Sequence, residues 1–172
     1  MNRGHVHARP AADSGKPGSP QQALRLDSQL CFALYSASLA MSRLYRPLLA
    51  PLKLTYPQYL VMLVLWERDA QRVRDLGERL QLDSGTLTPL LKRLESLGYV
   101  ERRRGAQDER EVFVHLTARG RALKRDAHRL PQTVAAATGC SPTELQGLVT
   151  QVRDLRGRLL GAAADDEAPL LP

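Results

Sequence analysis

RDLGERLQLDSGTLTPLLKRLESLG, residues 74–98, decides the fold. It reads as a short helix over Arg74–Leu80, a turn at Gln81-Leu82-Asp83, and a second helix from Ser84 to Leu97 that stops at Gly98, a good left-handed C′ residue. Leu87, Leu90, Leu91, Leu94 and Leu97 recur at helical spacing and form one apolar face. Gly85, Thr86, Thr88, Pro89, Lys92 and Arg93 fall largely on the other faces. Pro89 stands too late to be a first-turn proline in a helix that starts at Ser84, which predicts a local irregularity or a later start.

Downstream, Tyr99-Val100 and Glu111–Leu116 read as two strands on either side of a charged loop, RRRGAQDER at 102–110, so a hairpin with a long basic tip follows the second helix. Thr117 caps another helix. Ser141-Pro142-Thr143-Glu144 is a capping box opening a last helix, whose Leu145, Leu148, Val152, Leu155 and Leu159 make one stripe. Upstream, Leu26, Leu30, Leu34, Ala37, Met41, Leu44 and Leu48 form a long helical stripe with Asp27 as its N-cap. Thr55-Tyr56-Pro57-Gln58 is a second capping box, opening an apolar helix through Trp66. The expected order is four helices, a hairpin and two helices.

The 172 residues suffice for one domain with a proper core and a small appendage. Residues 1–25 hold Pro10, Pro17 and Pro20 and almost no large apolar side chains, and are expected to form a disordered basic tail. Residues 161–172 are expected to form a flexible acidic tail, leaving 26–160 as the folded part. No run approaches the roughly 18 apolar residues of a membrane span, and the apolar core of a signal peptide is missing, so a cytoplasmic protein with no membrane partner is expected. Cys31 and Cys140 lie far apart with no CxxC, and His5, His7, His115 and His128 form no ligand pattern with them. No metal or cofactor is expected, and the two thiols are either buried filler or redox-active. The formal net charge is +7, of which +3 falls on residues 1–25 and only +2 on residues 68–110. The placement of the cations therefore says more than their sum.

A short helix, a tight turn, a second helix with small and polar outward residues and a basic-tipped hairpin together make a winged helix-turn-helix. The expected fold class is mainly α with a small β-hairpin. Its DNA-binding module spans 68–116, between N- and C-terminal dimerisation helices at 26–50 and 117–160. The second helix is narrow enough for a major groove, where Ser84, Thr86, Thr88, Pro89, Lys92 and Arg93 can meet base edges and phosphates. Arg104, Asp108 and Arg110 on the hairpin face the minor groove or the backbone. The plain alternative is a set of solvated charges; the topology favours double-stranded DNA. Two apolar stripes exceed what a small wing domain needs for its own core, which predicts an intertwined homodimer on a palindromic operator.

Four segments carry a resemblance to a known family: LDSQLCFALY at 26–35, LTYPQYL at 54–60, LDSGTLTPLLKRL at 82–94 and Asp108-Glu109-Arg110. They resemble the OhrR branch of the MarR repressors over about residues 26–160. The Asp-Glu-Arg wing is shared across MarR proteins, whereas the first two segments are specific to the peroxide-sensing branch. The resemblance implies a dimeric repressor that binds its operator when reduced. It lets go when an organic hydroperoxide oxidises a cysteine near the N-terminus of the first helix, derepressing a peroxide-resistance gene. Cys31 stands at that position. In such proteins two tyrosine hydroxyls from the other subunit hold the cysteine sulfur, and the matching residues are Tyr45 and Tyr56. Tyr35, one turn after Cys31, is either a further neighbour or simply packing, and so is Tyr59. The family's recognition helix maps onto Ser84–Leu97 and its wing arginine onto Arg110. One subset of the family resolves the oxidised cysteine with a second cysteine from the partner chain. Cys140 takes that role, or the slot corresponds to Ala136 and a small thiol takes it instead.

Cys31, about one turn into a helix, is expected where the macrodipole and phenol donors favour thiolate over thiol. Leu30, Phe32 and Leu34 around it suit an alkyl hydroperoxide better than hydrogen peroxide. Two other classes are weighed beside this one. The first is a MarR-type repressor released by a small phenolic or aromatic ligand, with structural cysteines. The second is a thiol peroxidase; no acid or arginine stands beside Cys31 in the sequence, and a non-enzyme is expected.

Overall fold

A computed structural model of the protein describes residues 24–105, 108 and 110–166. The expected tail at 1–25 lies outside these except for Leu24 and Arg25, and so do residues 167–172. The chain divides into two units, Met1–Ser42 and Arg43–Pro172. In the first, a 3-10 turn at Leu26–Ser28 leads into helix α1, Leu30–Leu49, which runs on into the second unit. Asp27 is therefore not the cap of α1. The Ser28 and Gln29 N–H groups close tight turns onto the Arg25 and Leu26 carbonyls, and the α-helical ladder begins with the Ala33 N–H on the Gln29 carbonyl. That shift makes Cys31 the second residue of the helix instead of a residue one turn inside it.

In the second unit a 3-10 turn, Ala50–Leu52, connects α1 to α2, Tyr56–Glu67. Strand β1 is Gln71–Arg72, followed by α3, Val73–Leu80, and α4, Ser84–Ser96. Strands β2, Val100–Arg104, and β3, Val112–Leu116, form the hairpin. Helices α5, Ala118–Ala127, α6, Leu130–Thr138, and α7, Pro142–Asp166, complete the chain. The sheet is antiparallel with order β1-β3-β2. Among the described residues no single helix is long and apolar enough to cross a membrane.

The caps sit where the local chemistry puts them. Thr55 donates its backbone N–H to Gln58 Oε1 at 2.9 Å, closing the first capping box, and Ser141 and Glu144 exchange the equivalent pair at the start of α7. Helix α4 ends at a left-handed Gly98, φ 71°, with Gly98 N–H on the Glu95 carbonyl and Tyr99 N–H on the Leu94 carbonyl. From there Tyr99 and Val100 run directly into β2 and the core. That core collects Leu49, Val61, Met62, Leu65, Leu76, Leu87, Leu91, Leu94, Val100 and Val114, each almost completely buried.

Four expectations change. Pro89 lies inside α4, which runs unbroken from Ser84; the residue four back, whose carbonyl the missing N–H leaves unpaired and the ring must clear, is the exposed Gly85 in the first turn. Arg102, Arg103 and Arg104 are strand residues, paired with Val114, Phe113 and Val112, and not part of the tip. β2 is an edge strand, where charged side chains are well tolerated. The helix after Thr117 breaks at His128-Arg129, because Pro131 in the first turn of α6 cannot continue a hydrogen-bonded ladder. And α7 continues to Asp166, through an alanine-rich stretch that favours helix, so the expected tail at 161–172 is partly ordered.

Helix α5 comes up against the sheet at one close contact. Thr117 Oγ accepts the Gly120 N–H and donates to the Gly98 carbonyl at 2.6 Å, holding the start of α5 over the end of α4. Gly120 packs so tightly there that a Cβ would collide with the Tyr99 carbonyl oxygen and press on Leu116. Backbone cannot swing aside as a flexible side chain can. Gly120→Ala should therefore destabilise the fold by about 2–3 kcal/mol in urea unfolding; a loss below about 0.5 kcal/mol, the range of a bland surface change, would show that the contact can relax.

Candidate functional site

Helix α4 presents its non-core faces as expected. Leu87, Leu91 and Leu94 are buried, whereas Ser84, Thr86, Pro89, Lys92 and Arg93 are exposed and Thr88 is half-buried. Thr86 has a structural duty as well. Asp83 caps the helix by accepting the Thr86 N–H at 2.8 Å and the Thr86 hydroxyl at 2.9 Å, and these bonds hold its carboxyl below the usual carboxylate range. Thr88 faces a cavity of about 420 Å³ between α4 and the hairpin, which Arg72, Arg74, Arg102 and Arg110 also line.

Arg102 is turned inward against Glu95, and Arg103 pairs with Glu101 on its own strand. Arg104, at the end of β2, and Arg110, at the tip, are exposed. Asp108 builds the tip: its carboxylate accepts the Arg110 N–H at 2.8 Å and its carbonyl accepts the Glu111 N–H, so it fixes the backbone that carries Arg110. Glu111 pairs in turn with Arg72 at 2.9 Å. The pairing of Arg102 with Glu95 is not visible in sequence, because seven residues and a chain reversal separate the partners.

Cys31 is exposed, as is Tyr35 one turn later; both belong to the first unit. The second unit holds a tyrosine cluster. The Tyr45 ring lies 4.7 Å from that of Tyr56 and 5.7 Å from that of Tyr59, centroid to centroid. Burial pushes the Tyr45 phenol up to about 12, with repulsion from the Tyr59 and Tyr56 phenolates adding to it, and burial also raises those of Tyr56 and Tyr59. At neutral pH all three hydroxyls keep their protons and can donate. Tyr59 is the member that the sequence left undecided; it is almost fully buried and also meets Trp66 edge-on. Its signal is the three-residue spacing from Tyr56, which puts both on one side of α2.

Cys140 sits half-buried in the turn between α6 and α7, after the left-handed Gly139, with its N–H on Thr138 Oγ and its thiol 3.7 Å from the Thr138 carbonyl. Ala136, the other candidate for its slot, is exposed on α6. Leu30, Leu39 and Met41 on α1 and Leu148, Val152 and Leu159 on α7 are exposed although apolar. A second cavity of about 400 Å³ lies between α2 and α5, walled by Tyr59, Leu63, Trp66 and Ala127 with Lys124 and His128 at its polar side. Among the described residues no group of three or more His, Cys, Asp or Glu side chains could hold a metal ion.

The same region of the chain matches known proteins. The family model for the transcriptional regulator SarA/Rot matches residues 43–127. The HTH-type transcriptional regulator TtmR of Methylorubrum extorquens is 52% identical over 144 residues, which cover 84% of this chain and 74% of that protein. The organic hydroperoxide resistance transcriptional regulator of Bacillus subtilis is 46% identical over 125 residues, 73% of this chain and 85% of that one. Among solved structures, reduced AbfR bound to DNA superposes with a TM-score of 0.68 at 33% identity, covering 81% of this chain and 98% of that one. AbfR, from Staphylococcus epidermidis, has also been solved overoxidised on DNA and in a disulfide form. A winged helix-turn-helix with these relatives over most of its length is a transcriptional regulator, and the chain belongs to the SarA/Rot family of MarR-like winged-helix regulators.

Proposed function

We propose that the protein is a homodimeric repressor that holds a palindromic operator while Cys31 is reduced and releases it when an organic hydroperoxide oxidises that thiol. The observation that carries this reading is the pairing of Tyr45 with Tyr56, two phenols kept protonated beside each other. Two such donors suit a thiolate or a sulfenate, and an exposed cysteine in the first turn of α1 supplies one from a second copy. The apolar stripes left open on α1 and α7 are the surfaces that second copy would cover, which sets two α4 helices on half-sites about one DNA turn, roughly 34–36 Å, apart. Names carried by the relatives, a hydroperoxide regulator and a protein known reduced, overoxidised and disulfide-bonded, favour the same chemistry.

In the reaction the Cys31 thiolate attacks the terminal oxygen of the hydroperoxide, the O–O bond breaks, and the alkoxide leaves and takes up a proton as the alcohol. Sulfur is oxidised by two electrons to a sulfenic acid. A second thiol, from Cys140 of the other copy or from a small molecule, then displaces the hydroxyl as water and forms a disulfide. On the DNA side Ser84, Thr86, Thr88, Pro89, Lys92 and Arg93 would face the major groove, and Arg104 and Arg110, the latter set by Asp108, the adjoining backbone or minor groove. The cavity between α2 and α5 favours a second reading, release by a small phenolic or aromatic ligand that stacks on Trp66 and Tyr59.

A duplex selected by the reduced protein from a random pool gives the probe for both. With cumene hydroperoxide, the wild-type complex should dissociate and that of Cys31→Ser should persist; equal release from both would favour the ligand reading. Arg110→Ala should weaken the complex and flatten its salt dependence by about one unit of slope; an unchanged slope moves Arg110 to a structural role. The raised phenols also predict alkaline behaviour. Because Tyr45 ionises near 10 when unfolded and near 12 when folded, stability it lends below pH 10 is lost between pH 10 and 12. Tyr45→Phe should therefore lose less stability than wild type over that interval in urea titrations, and an identical loss would mean the phenol is not held back.

A further inference from the structure

The hairpin is joined to α4 twice. The first joint is the turn at Gly98-Tyr99, which together with the buried Val100, Val114 and Leu116 seats the base of the hairpin on the core. The second is Glu95, in the last turn of α4. Its Oε2 accepts Arg102 Nε at 3.0 Å and a terminal guanidinium nitrogen at 2.7 Å, while its Oε1 accepts the Arg102 backbone N–H at 3.2 Å. Among the described residues β2 pairs only with β3, and it is on its other edge that Glu95 takes hold of the strand midway along its length. Arg102 and Glu95 are 30% and 36% exposed, the most sheltered of the described ion pairs; Arg103 and Glu101 are 62% and 44% exposed. Two guanidinium bonds to one carboxylate oxygen, a backbone bond to the other, and partial shelter separate this bridge from surface pairs worth little.

We infer that Glu95 is a positioning residue, which sets the angle between wing and recognition helix so that Arg104 and Arg110 meet the DNA backbone in step with α4. This rests on the DNA reading proposed above. It also opposes what charge alone dictates. Glu95 is an acid two and three residues from Arg93 and Lys92 on the helix assigned to the groove. Removing it adds to the local positive potential and frees the Arg102 guanidinium to neutralise a phosphate. Electrostatics therefore predicts tighter binding and a salt slope steeper by about one; positioning predicts weaker binding at an unchanged or shallower slope.

The experiment measures affinity of the full-length reduced protein for the selected duplex across a salt series, for wild type, Glu95→Ala, Arg110→Ala and the double variant. Glu95→Ala should bind about tenfold more weakly, the scale of losing one well-placed arginine contact. In the double variant the cost of Arg110→Ala should shrink, because the wing no longer presents that residue correctly. Unchanged or tighter binding of Glu95→Ala, or fully additive effects, would overturn the assignment. Glu95→Gln, which keeps the side chain's shape and removes its charge, carries the same test of sign should the alanine variant unfold. A wild-type protein that enriches no duplex fails the DNA reading itself, whereas tight wild-type binding with still tighter Glu95→Ala binding fails this inference alone.

Discussion

The approach of Gly120 to the Tyr99 carbonyl is the constraint on which the rest of the second unit depends. It brings α5 onto the strand entrance, and further bonds then tie the end of α2 and the segment after it to the same place. Trp66 Nε1 donates to the Gly120 carbonyl at 2.9 Å, Lys124 donates to the Trp66 carbonyl, and Arg121 bridges Asp69 and the Leu116 carbonyl. Asp69 also accepts the Leu116 N–H. The helix that carries Tyr56 and Tyr59 at its beginning is thus fastened at its end to the sheet and to α5. So short and tightly held a rod is the kind of rigid connection that coupling between two ends of a domain requires.

Formal charge overstates the basicity of the hairpin and understates its organisation. Of the arginines at 102–104, two are matched to acids and face their partners, while Asp108 spends its carboxylate on the tip backbone. Arg103, Arg104 and Arg110 are exposed on the outer half of the hairpin, and Lys92 and Arg93 stand on the outer face of α4. A modest net charge distributed this way is directional: it favours one approach of a polyanion over others, which a diffuse excess of the same size would not.

The helical part of this fold was legible because its boundaries are written in short-range chemistry. Thr55, Asp83, Thr117 and Ser141 each bond a group three residues away, and Gly98 adopts a conformation few other residues tolerate, so none of these needs tertiary knowledge. What escaped is what depends on distant partners. β1 is two residues long and has no period to detect; it exists because Val114 and Phe113 offer it an edge. α1 starts two residues later than an Asp27 cap predicts, because apolar spacing continues through a 3-10 turn that has a different hydrogen-bond period. For the site, Tyr45 and Tyr56 were legible through resemblance, and their mutual contact is seen only once α1 and α2 are folded against each other.

A hairpin that projects from a small domain usually exposes rows of unpaired amides, and such rows recruit strands from other molecules. Here β1 covers part of the outer side of β3, and Glu95 occupies an amide on the outer side of β2. Both borders of the hairpin are blunted before its tip, by a two-residue strand and by one carboxylate. The contacts that place the hairpin therefore also leave fewer amides at its borders for a strand of another molecule to pair with.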